Sequence, residues 1–350
     1  MSIGSRIKQA RKGANLSQRK LAEDIGVSAM MISKYENDHN VPNSEMLIRL
    51  SRKLGVKLDY FFRPESFSLE LQAYRKHASL GKNEEEAIKM RIQDWIERYL
   101  EVESLFPQEQ KEAVVPSFIV KTMGDVEEAT GNLRESWHLG LDPIENMIQL
   151  LEDKGIKVGL VSGFDHFDAC TFKFDGNLVI VSKEELSGDR QRFNLAHELG
   201  HLFLECRDDL NIEKAANRFA CAFLVPEEKA RYELGMYRSD LDINELHILK
   251  HKYGLSMQAW ICRAKDLNII SQDTFERLFK QFKANQWHRE EPGKPYPSEQ
   301  PVRMEQLVYR ALAEDLITRS KAQELLASPL KQWWDMEDSQ LNDTAVTAGH

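Results

Sequence analysis

One stretch, from Arg192 to Leu204, constrains the fold and chemistry of this chain more than any other, because it contains His197-Glu198-x-x-His201. Four residues are just over one turn of an α-helix, so both imidazoles would project from one face and reach one cation. Glu198 would lie beside that pair, where it can take a proton from a water at the metal without being a ligand. The stretch therefore predicts a helix that carries a hydrolytic metal site.

The residues around the two histidines favour a buried helix. Gly200, which is unusual inside a helix, would let a neighbouring element pack closely beside His201. A structural or vestigial pair of histidines remains the alternative to a catalytic metal site. Apolar side chains fall at helical spacing and would face a core: Phe193, Ala196, Leu199, Leu202 and Phe203.

A third metal ligand is available from the next predicted helix. Residues 212–226 form a second apolar pattern that Pro226 ends, and Glu213 lies in its first turn. A polar turn at residues 207–209 separates the two helices, so they would run antiparallel. His197, His201 and Glu213 would then converge on one ion and leave its fourth position to water.

The two helices together resemble a known family. R-F-x-x-A-H-E-L-G-H, followed by E-x-x-A-N-x-F-A-x-x-x-L-x-P, is similar over about 35 residues to the ImmA/IrrE family of bacterial and phage zinc endopeptidases. The resemblance implies that His197, His201 and Glu213 bind one Zn²⁺ per chain, with Mn²⁺ as a substitute, and that Glu198 is the general base. It also implies that Asn217 orients a ligating histidine. A further donor to the reacting carbonyl would come from Tyr232, Tyr237, His166 or Arg192.

The N-terminal residues predict a second module. Residues 3–12 repeat apolar positions at helical spacing, Ser17 and Ser28 are candidate N-caps of two short helices, and Gly26 makes the turn between them. The pattern L-S-Q-x-x-L-A-x-x-x-G-V-S-x-x-x-I-S-x-Y-E resembles the XRE/Cro family of DNA-binding domains over residues 1–63. That resemblance implies a five-helix domain, a double-stranded DNA operator and a homodimer on a pseudo-palindromic site.

The predicted recognition helix would enter the major groove through its N-terminal residues. Ala29 and Met30 stand where amides would read adenine, so base readout would depend on thymine methyl groups and on Ser33 and Lys34. Residues 1–66 carry 12 Lys or Arg against 7 Asp or Glu, although the whole chain has a net charge of −9. This basic module favours DNA over the alternative of a protein-binding surface. The predicted DNA contacts are Gln18, Ser28, Ala29, Met30, Ser33, Lys34 and Asn37.

The composition excludes a membrane protein and a disulfide framework. A length of 350 residues suggests two or three domains, and no apolar run approaches the ~20 residues of a membrane helix. The 4 cysteines include no C-x-x-C pair and are read as reduced. No N-terminal signal pattern is present, so we expect a cytoplasmic protein, associated with the nucleoid when it is bound to DNA.

The rest of the chain predicts a mostly α fold with a small antiparallel β-sheet (α+β), and the resemblance implies that a gluzincin-like metallopeptidase domain follows the helix-turn-helix domain. Lys82 to Phe106 reads as one long amphipathic helix, whose apolar stripe must be covered by the peptidase domain or by a dimer partner. The three predicted strands are 156–161, 169–174 and 178–182, and the Pro- and Gly-rich residues 287–301 read as a linker. The predicted segments are a helix-turn-helix domain (1–63), a helical connector (64–115), a peptidase domain (116–285), a helical extension (286–338) and a disordered tail (339–350).

The modules together predict a DNA-binding transcriptional regulator with a built-in zinc endopeptidase. The resemblance implies a narrow protein substrate, such as a repressor or an antitoxin cleaved under stress. The alternative is a transcriptional repressor, or the antitoxin of a toxin–antitoxin pair with a cognate toxin, that uses the peptidase fold only for sensing or partner binding. A third reading is a plain repressor with a vestigial body.

Overall fold

A computed structural model describes residues 2–63, 82–109, 116–164 and 166–330 of the chain. The chain forms two compact units, one from residues 1–93 with 111–301 and the other from residues 94–110 with 302–350. The predicted fold class, mostly helical with little strand, is confirmed. Residues 64–81 and 110–115 of the predicted connector and the whole predicted disordered tail lie outside the described residues.

The helix-turn-helix domain consists of four α-helices and a closing 3-10 helix at Leu58–Phe62. Ser17 and Ser28 are N-caps, as predicted: each side-chain oxygen accepts a hydrogen bond from a backbone N–H three residues later. Gly26 has a left-handed backbone with φ of 73°, which its lack of a Cβ permits. The four helices are α1 (Ile3–Gly13), α2 (Gln18–Ile25), α3 (Ala29–Glu36) and α4 (Ser44–Leu54).

The remaining elements follow in chain order, and within the described ranges none of the helices has the length and apolarity of a membrane span. They are α5 (Lys82–Glu103), β1 (Phe118–Val120), α6 (Met123–Ser136), α7 (Met147–Asp153), β2 (Ile156–Val161), β3 (Ala169–Phe174), β4 (Asn177–Lys183), α8 (Gly188–Phe203), β5 (Leu204–Cys206), α9 (Ile212–Leu224), α10 (Glu227–Leu234), α11 (Ile243–Tyr253), α12 (Met257–Asp266), α13 (Gln272–Ala284), α14 (Arg303–Ala313) and α15 (Arg319–Leu326).

The predicted long helix is α5, and its apolar stripe is buried within the chain. Ile88 and Ile92 are almost completely buried in the larger unit. In the smaller unit, Tyr99 and Val102 form a cluster with Val308 of α14 and with other apolar residues of α14 and α15. Covering this stripe therefore does not require a second copy of the protein.

The three-stranded sheet is mixed, so the prediction of an antiparallel sheet is wrong for one of its strands. Asp175 and Gly176, both with positive φ, form the predicted hairpin between β3 and β4. The strand order is β2-β4-β3, and β2 runs parallel to β4. The chain does reverse after β2, but β4 then inserts between β2 and β3, which a local turn signal cannot indicate. A separate pair, β1 and β5, is parallel and was not predicted.

Gly200 lies where α8 packs closely on α9. A Cβ at this position would lie 3.2 Å from Cδ1 of Phe219 and 3.3 Å from the Cα atom of Ala216, both on α9. These distances are tighter than most Cβ contacts, so an added Cβ would require its α9 neighbours to move by a few tenths of an ångström. The unusual glycine therefore has the packing role that the sequence predicted.

Residues 287–301 are not a free linker, because part of this segment is bonded to the start of α8. The backbone N–H of Gly188 donates to the carbonyl of Tyr296 at 2.9 Å. Gln191 makes two hydrogen bonds to the backbone of Glu299, at 2.8 and 3.1 Å. These bonds hold Tyr296 and Glu299 against the start of α8.

Candidate metal centre

Three potential metal ligands converge between α8 and α9. His197 and His201 lie one turn apart on α8, and Glu213 lies in the first turn of α9, where Asn211 caps the helix. The Nε2 atoms of the two histidines are 3.0 Å apart, and the Glu213 carboxylate lies 3.4 Å from His197 and 4.0 Å from His201. Among the described residues, these are the His, Cys, Asp or Glu side chains that could together hold a metal ion. Each offers one ligand atom, and these atoms all lie within 4.8 Å of one another.

The spacing of these atoms fits a tetrahedral zinc site. With zinc–ligand bonds of about 2.0–2.1 Å, neighbouring ligand atoms of a tetrahedron are separated by about 3.3 Å. The two Nε2 atoms are 3.0 Å apart, Oε2 of Glu213 lies 3.4 Å from His197 and Oε1 of Glu213 lies 4.0 Å from His201, so the contacts are close to that value. Two imidazoles and one carboxylate are also a common ligand set of catalytic zinc.

The three side chains of the cluster differ in exposure. The His201 side chain is 6% exposed and that of His197 is 17% exposed, whereas the Glu213 side chain is 50% exposed. The two histidines are therefore partly enclosed, and Glu213 is the side chain of the three that solvent reaches most.

Asn217 lies within hydrogen-bond distance of His197. Its Oδ1 atom lies 2.9 Å from Nδ1 of His197. Because an amide oxygen only accepts hydrogen bonds, this contact places the imidazole proton on Nδ1 and leaves the lone pair on Nε2, which faces His201 and Glu213. Asn217 follows Glu213 by one helical turn, so α9 supplies both a potential ligand and a polar contact to another potential ligand.

Glu198 lies beside the cluster and has a partner that the sequence did not indicate. Its side chain is buried, with 8% exposure, and Oε2 accepts a hydrogen bond of 2.6 Å from Oγ1 of Thr171. Thr171 is in the middle of β3, which packs against α8. The two residues are 27 positions apart in sequence. Alternation along the predicted strand groups Thr171 with the exposed Lys173, so the sequence pattern gave no signal for this contact.

Cys170 lies next to Thr171 but remains a neutral thiol. Burial raises the pKa of its side chain well above the ordinary value, and the nearby Glu198 carboxylate raises it further. A thiol in this state is a poor metal ligand, because the thiolate is the binding form. All 4 cysteines are free, as the sequence predicted.

Arg192 is not available to bind a substrate carbonyl, which corrects one of the four sequence candidates. Its side chain is fully buried, and Nη1 forms an ion pair of 2.6 Å with Oε1 of Glu299. Nη2 donates to the carbonyl of Ile144 at 2.6 Å. The guanidinium therefore connects α8 with Glu299 and with the carbonyl of Ile144. The other candidates, Tyr232, Tyr237 and His166, are exposed.

The predicted DNA-contact residues lie around α2 and α3, and they differ in how free their side chains are. Met30 is 69% exposed, and Ser28, Ala29, Lys34 and Asn37 are also exposed. Ser33 is half-buried. The amide of Gln18 donates a hydrogen bond of 2.6 Å to Glu36, which also pairs with Arg11. Gln18 is therefore already engaged within the domain.

Two regions of the chain match family models. Residues 7–61 match the helix-turn-helix model, and residues 152–265 match the IrrE N-terminal-like domain. The chain therefore joins a helix-turn-helix domain to an IrrE-like domain. The IrrE-like match includes β2, β3, α8 and α9 and hence the whole metal cluster. The predicted family resemblance is confirmed.

Curated relatives match only part of the chain. The transcriptional regulator ImmR of Bacillus subtilis is 34% identical over 68 residues, which are 19% of this chain and 54% of ImmR. The CTXphi repressor RstR of Vibrio cholerae is 28% identical over 103 residues, which are 28% of this chain and 91% of RstR. The chain spans about half or less of the length of the first relatives it matches.

Among solved structures, ComR from Streptococcus suis is 11% identical, and the comparison covers 93% of this chain and 87% of that one. Its TM-score of 0.17 is too low to relate the two folds.

Proposed function

We propose that this chain is a DNA-binding transcriptional regulator whose IrrE-like domain is a zinc-dependent endopeptidase for a specific protein, such as a repressor or an antitoxin. The observation that carries the proposal is the convergence of His197, His201 and Glu213, with a buried carboxylate beside them that is not one of the three. A non-ligating carboxylate next to an open metal site is the arrangement that hydrolysis of a peptide requires.

Metal binding and proton transfer would be carried out by different residues of the site. His197, His201 and Glu213 would hold the ion, which when bound would polarise a peptide carbonyl and lower the pKa of water. Glu198 would take the proton from the attacking water and pass it to the leaving amine. Oε2 of Glu198 also accepts a hydrogen bond from Oγ1 of Thr171, which holds the carboxylate beside β3.

The outer edge of β3 is the proposed shelf for an extended substrate. β3 is an edge strand of the sheet order β2-β4-β3, and it packs against α8. An edge strand offers backbone N–H and C=O groups to an added strand. The alternative is that the strand only covers α8.

The metal site can be tested through Asn217. We expect the purified chain to bind one equivalent of zinc, and Asn217→Ala to weaken that binding by about 10–100-fold, since His197 loses the partner that fixes its tautomer. Asn217→Asp keeps an acceptor at this position and should keep most of the affinity. Competition with a chromophoric chelator measures both values. Equal affinities of the wild type and Asn217→Ala would contradict the proposed role.

DNA binding is proposed from the helix-turn-helix match, the basic charge of residues 1–66 and the exposed start of α3. ImmR, RstR and the repressor C2 of Salmonella phage P22 are named as transcriptional regulators or repressors. These names are consistent with the second candidate function, a repressor or antitoxin without turnover, only in its repressor part.

Lys34 provides a test of the DNA interface. If Lys34 contacts phosphate, Lys34→Ala should weaken binding equally for all sequences and reduce the salt slope of log K by about 0.9. If it contacts a base edge, specificity should relax at one operator position. Fluorescence anisotropy on selected and random duplexes separates these results. Lys283→Ala, which removes an exposed lysine from α13, is the control for net charge. Unchanged DNA binding of Lys34→Ala would remove Lys34 from the interface.

A further inference from the structure

We infer that Thr171 is a positioning residue for Glu198, so that β3 contributes to the chemistry of the metal helix and not only to its packing. The inference rests on the proposed function, because it assigns Glu198 a task that needs a fixed orientation. It starts from the hydrogen bond of 2.6 Å between Oγ1 of Thr171 and Oε2 of Glu198.

The contact is between two buried groups. Thr171 is 1% exposed and Glu198 is 8% exposed. In such surroundings water does not replace a lost hydrogen bond to a carboxylate, and the geometry of the bond that is present sets the orientation of the group. A carboxylate on a rotatable two-carbon stem needs such a partner to keep one oxygen towards a neighbouring metal site.

The position of Thr171 in the sheet makes it a rigid partner. It pairs with Ile180 of the central strand β4, and Cys170 and Phe172 on either side are buried. Its β-branched side chain has few rotamers, so the hydroxyl is held in place by both the backbone and the packing. Glu198 is thereby fixed by an element other than the helix that carries it.

The hydroxyl of Thr171 acts on one oxygen of Glu198, because Oε2 accepts its hydrogen bond. If the hydroxyl is removed, Oε2 loses this bond, and β3 no longer contributes to the orientation of the carboxylate. The ligands of the ion are untouched by this change, so metal affinity and orientation of Glu198 are separable.

Zinc-loaded full-length protein and acetohydroxamate provide the test. A hydroxamate chelates zinc, and its protonated oxygen donates to a carboxylate fixed beside the ion, so its affinity reports the orientation of Glu198 without any turnover. We expect Thr171→Val to keep the wild-type zinc affinity and to bind acetohydroxamate about tenfold or more weakly in calorimetry. Thr171→Ser restores the hydroxyl and should recover the affinity to within about threefold.

Two further variants separate positioning from structural damage. Thr130→Val removes another buried hydroxyl, which donates within α6 to the carbonyl of Val126, and should leave acetohydroxamate binding unchanged. The double variant Thr171→Val/Glu198→Gln should bind no more weakly than Glu198→Gln alone, because Thr171 acts through Glu198.

The possible results are distinct. If Thr171→Val binds acetohydroxamate as tightly as the wild type and Glu198→Gln binds it weakly, the inference is overturned and the proposed function stands. Additive losses in the double variant also overturn it. If the wild type binds no zinc, or if Glu198→Gln binds acetohydroxamate as tightly as the wild type, the proposed function is overturned and this inference with it.

Discussion

Replacing Glu198 with Gln is expected to abolish proteolysis while the protein still binds one zinc ion. Glu198 is not one of the three converging side chains, so the ion keeps its ligands. Gln has the same shape but cannot take a proton, and loss of a general base lowers the rate by about 10²–10⁴-fold. The measurement is a proteome comparison of cells that carry the wild type or Glu198→Gln, in which a cleavage fragment should occur only with the wild type.

A matched variant controls for the loss of one negative charge. Glu205 lies in β5, just after α8, and pairs at the surface with Arg207. Glu205→Gln should therefore leave the cleavage fragment unchanged. A fragment that persists in Glu198→Gln would remove Glu198 as the base.

The same experiment separates the candidate functions. If neither protein produces a fragment and both repress transcription equally, the result favours a repressor or antitoxin that uses the IrrE-like domain for binding alone. In that case zinc binding would still be expected. If His197→Ala also represses normally, the metal site has no part in regulation, as the reading of a vestigial body requires.

Local sequence patterns were sufficient to predict the elements that carry the metal cluster. The four-residue spacing of His197 and His201 and the position of Glu213 in the first turn of the next helix both depend on helical periodicity alone. Ser17 and Ser28 were recognisable as N-caps for the same reason, since each contact spans three residues. The hairpin at Asp175-Gly176 is also local.

Features that depend on distant parts of the chain could not be predicted. The direction of β2 relative to its neighbour depends on the later insertion of β4 between β2 and β3. The partner of Glu198 comes from a strand 27 residues earlier, and periodicity does not indicate which inward-facing residue would meet it. The ion pair of Arg192 and Glu299 spans 107 residues, and the surrounding prolines pointed to a linker instead.

The ion pair of Arg192 and Glu299 should stabilise the folded state, whereas a free linker would contribute nothing to it. Arg192 is fully buried, and the Glu299 side chain is 7% exposed. Besides pairing with Arg192, Glu299 accepts a hydrogen bond of 2.8 Å from the backbone of Ile148 at the start of α7. Removal of the carboxylate would leave a buried guanidinium without its counter-charge and a buried N–H without its acceptor.

We therefore expect Glu299→Ala to destabilise the larger unit by about 3–5 kcal/mol, the usual cost of breaking a buried ion pair. For a domain of this size, that loss lowers the melting temperature by about 6–20 °C, which differential scanning calorimetry resolves. Glu290→Ala removes an exposed carboxylate from the same segment and should change the stability by no more than about 0.5 kcal/mol. A true linker would give equally small effects at both positions. Equal melting temperatures for the two variants would therefore show that residues 287–301 do not hold the start of α8.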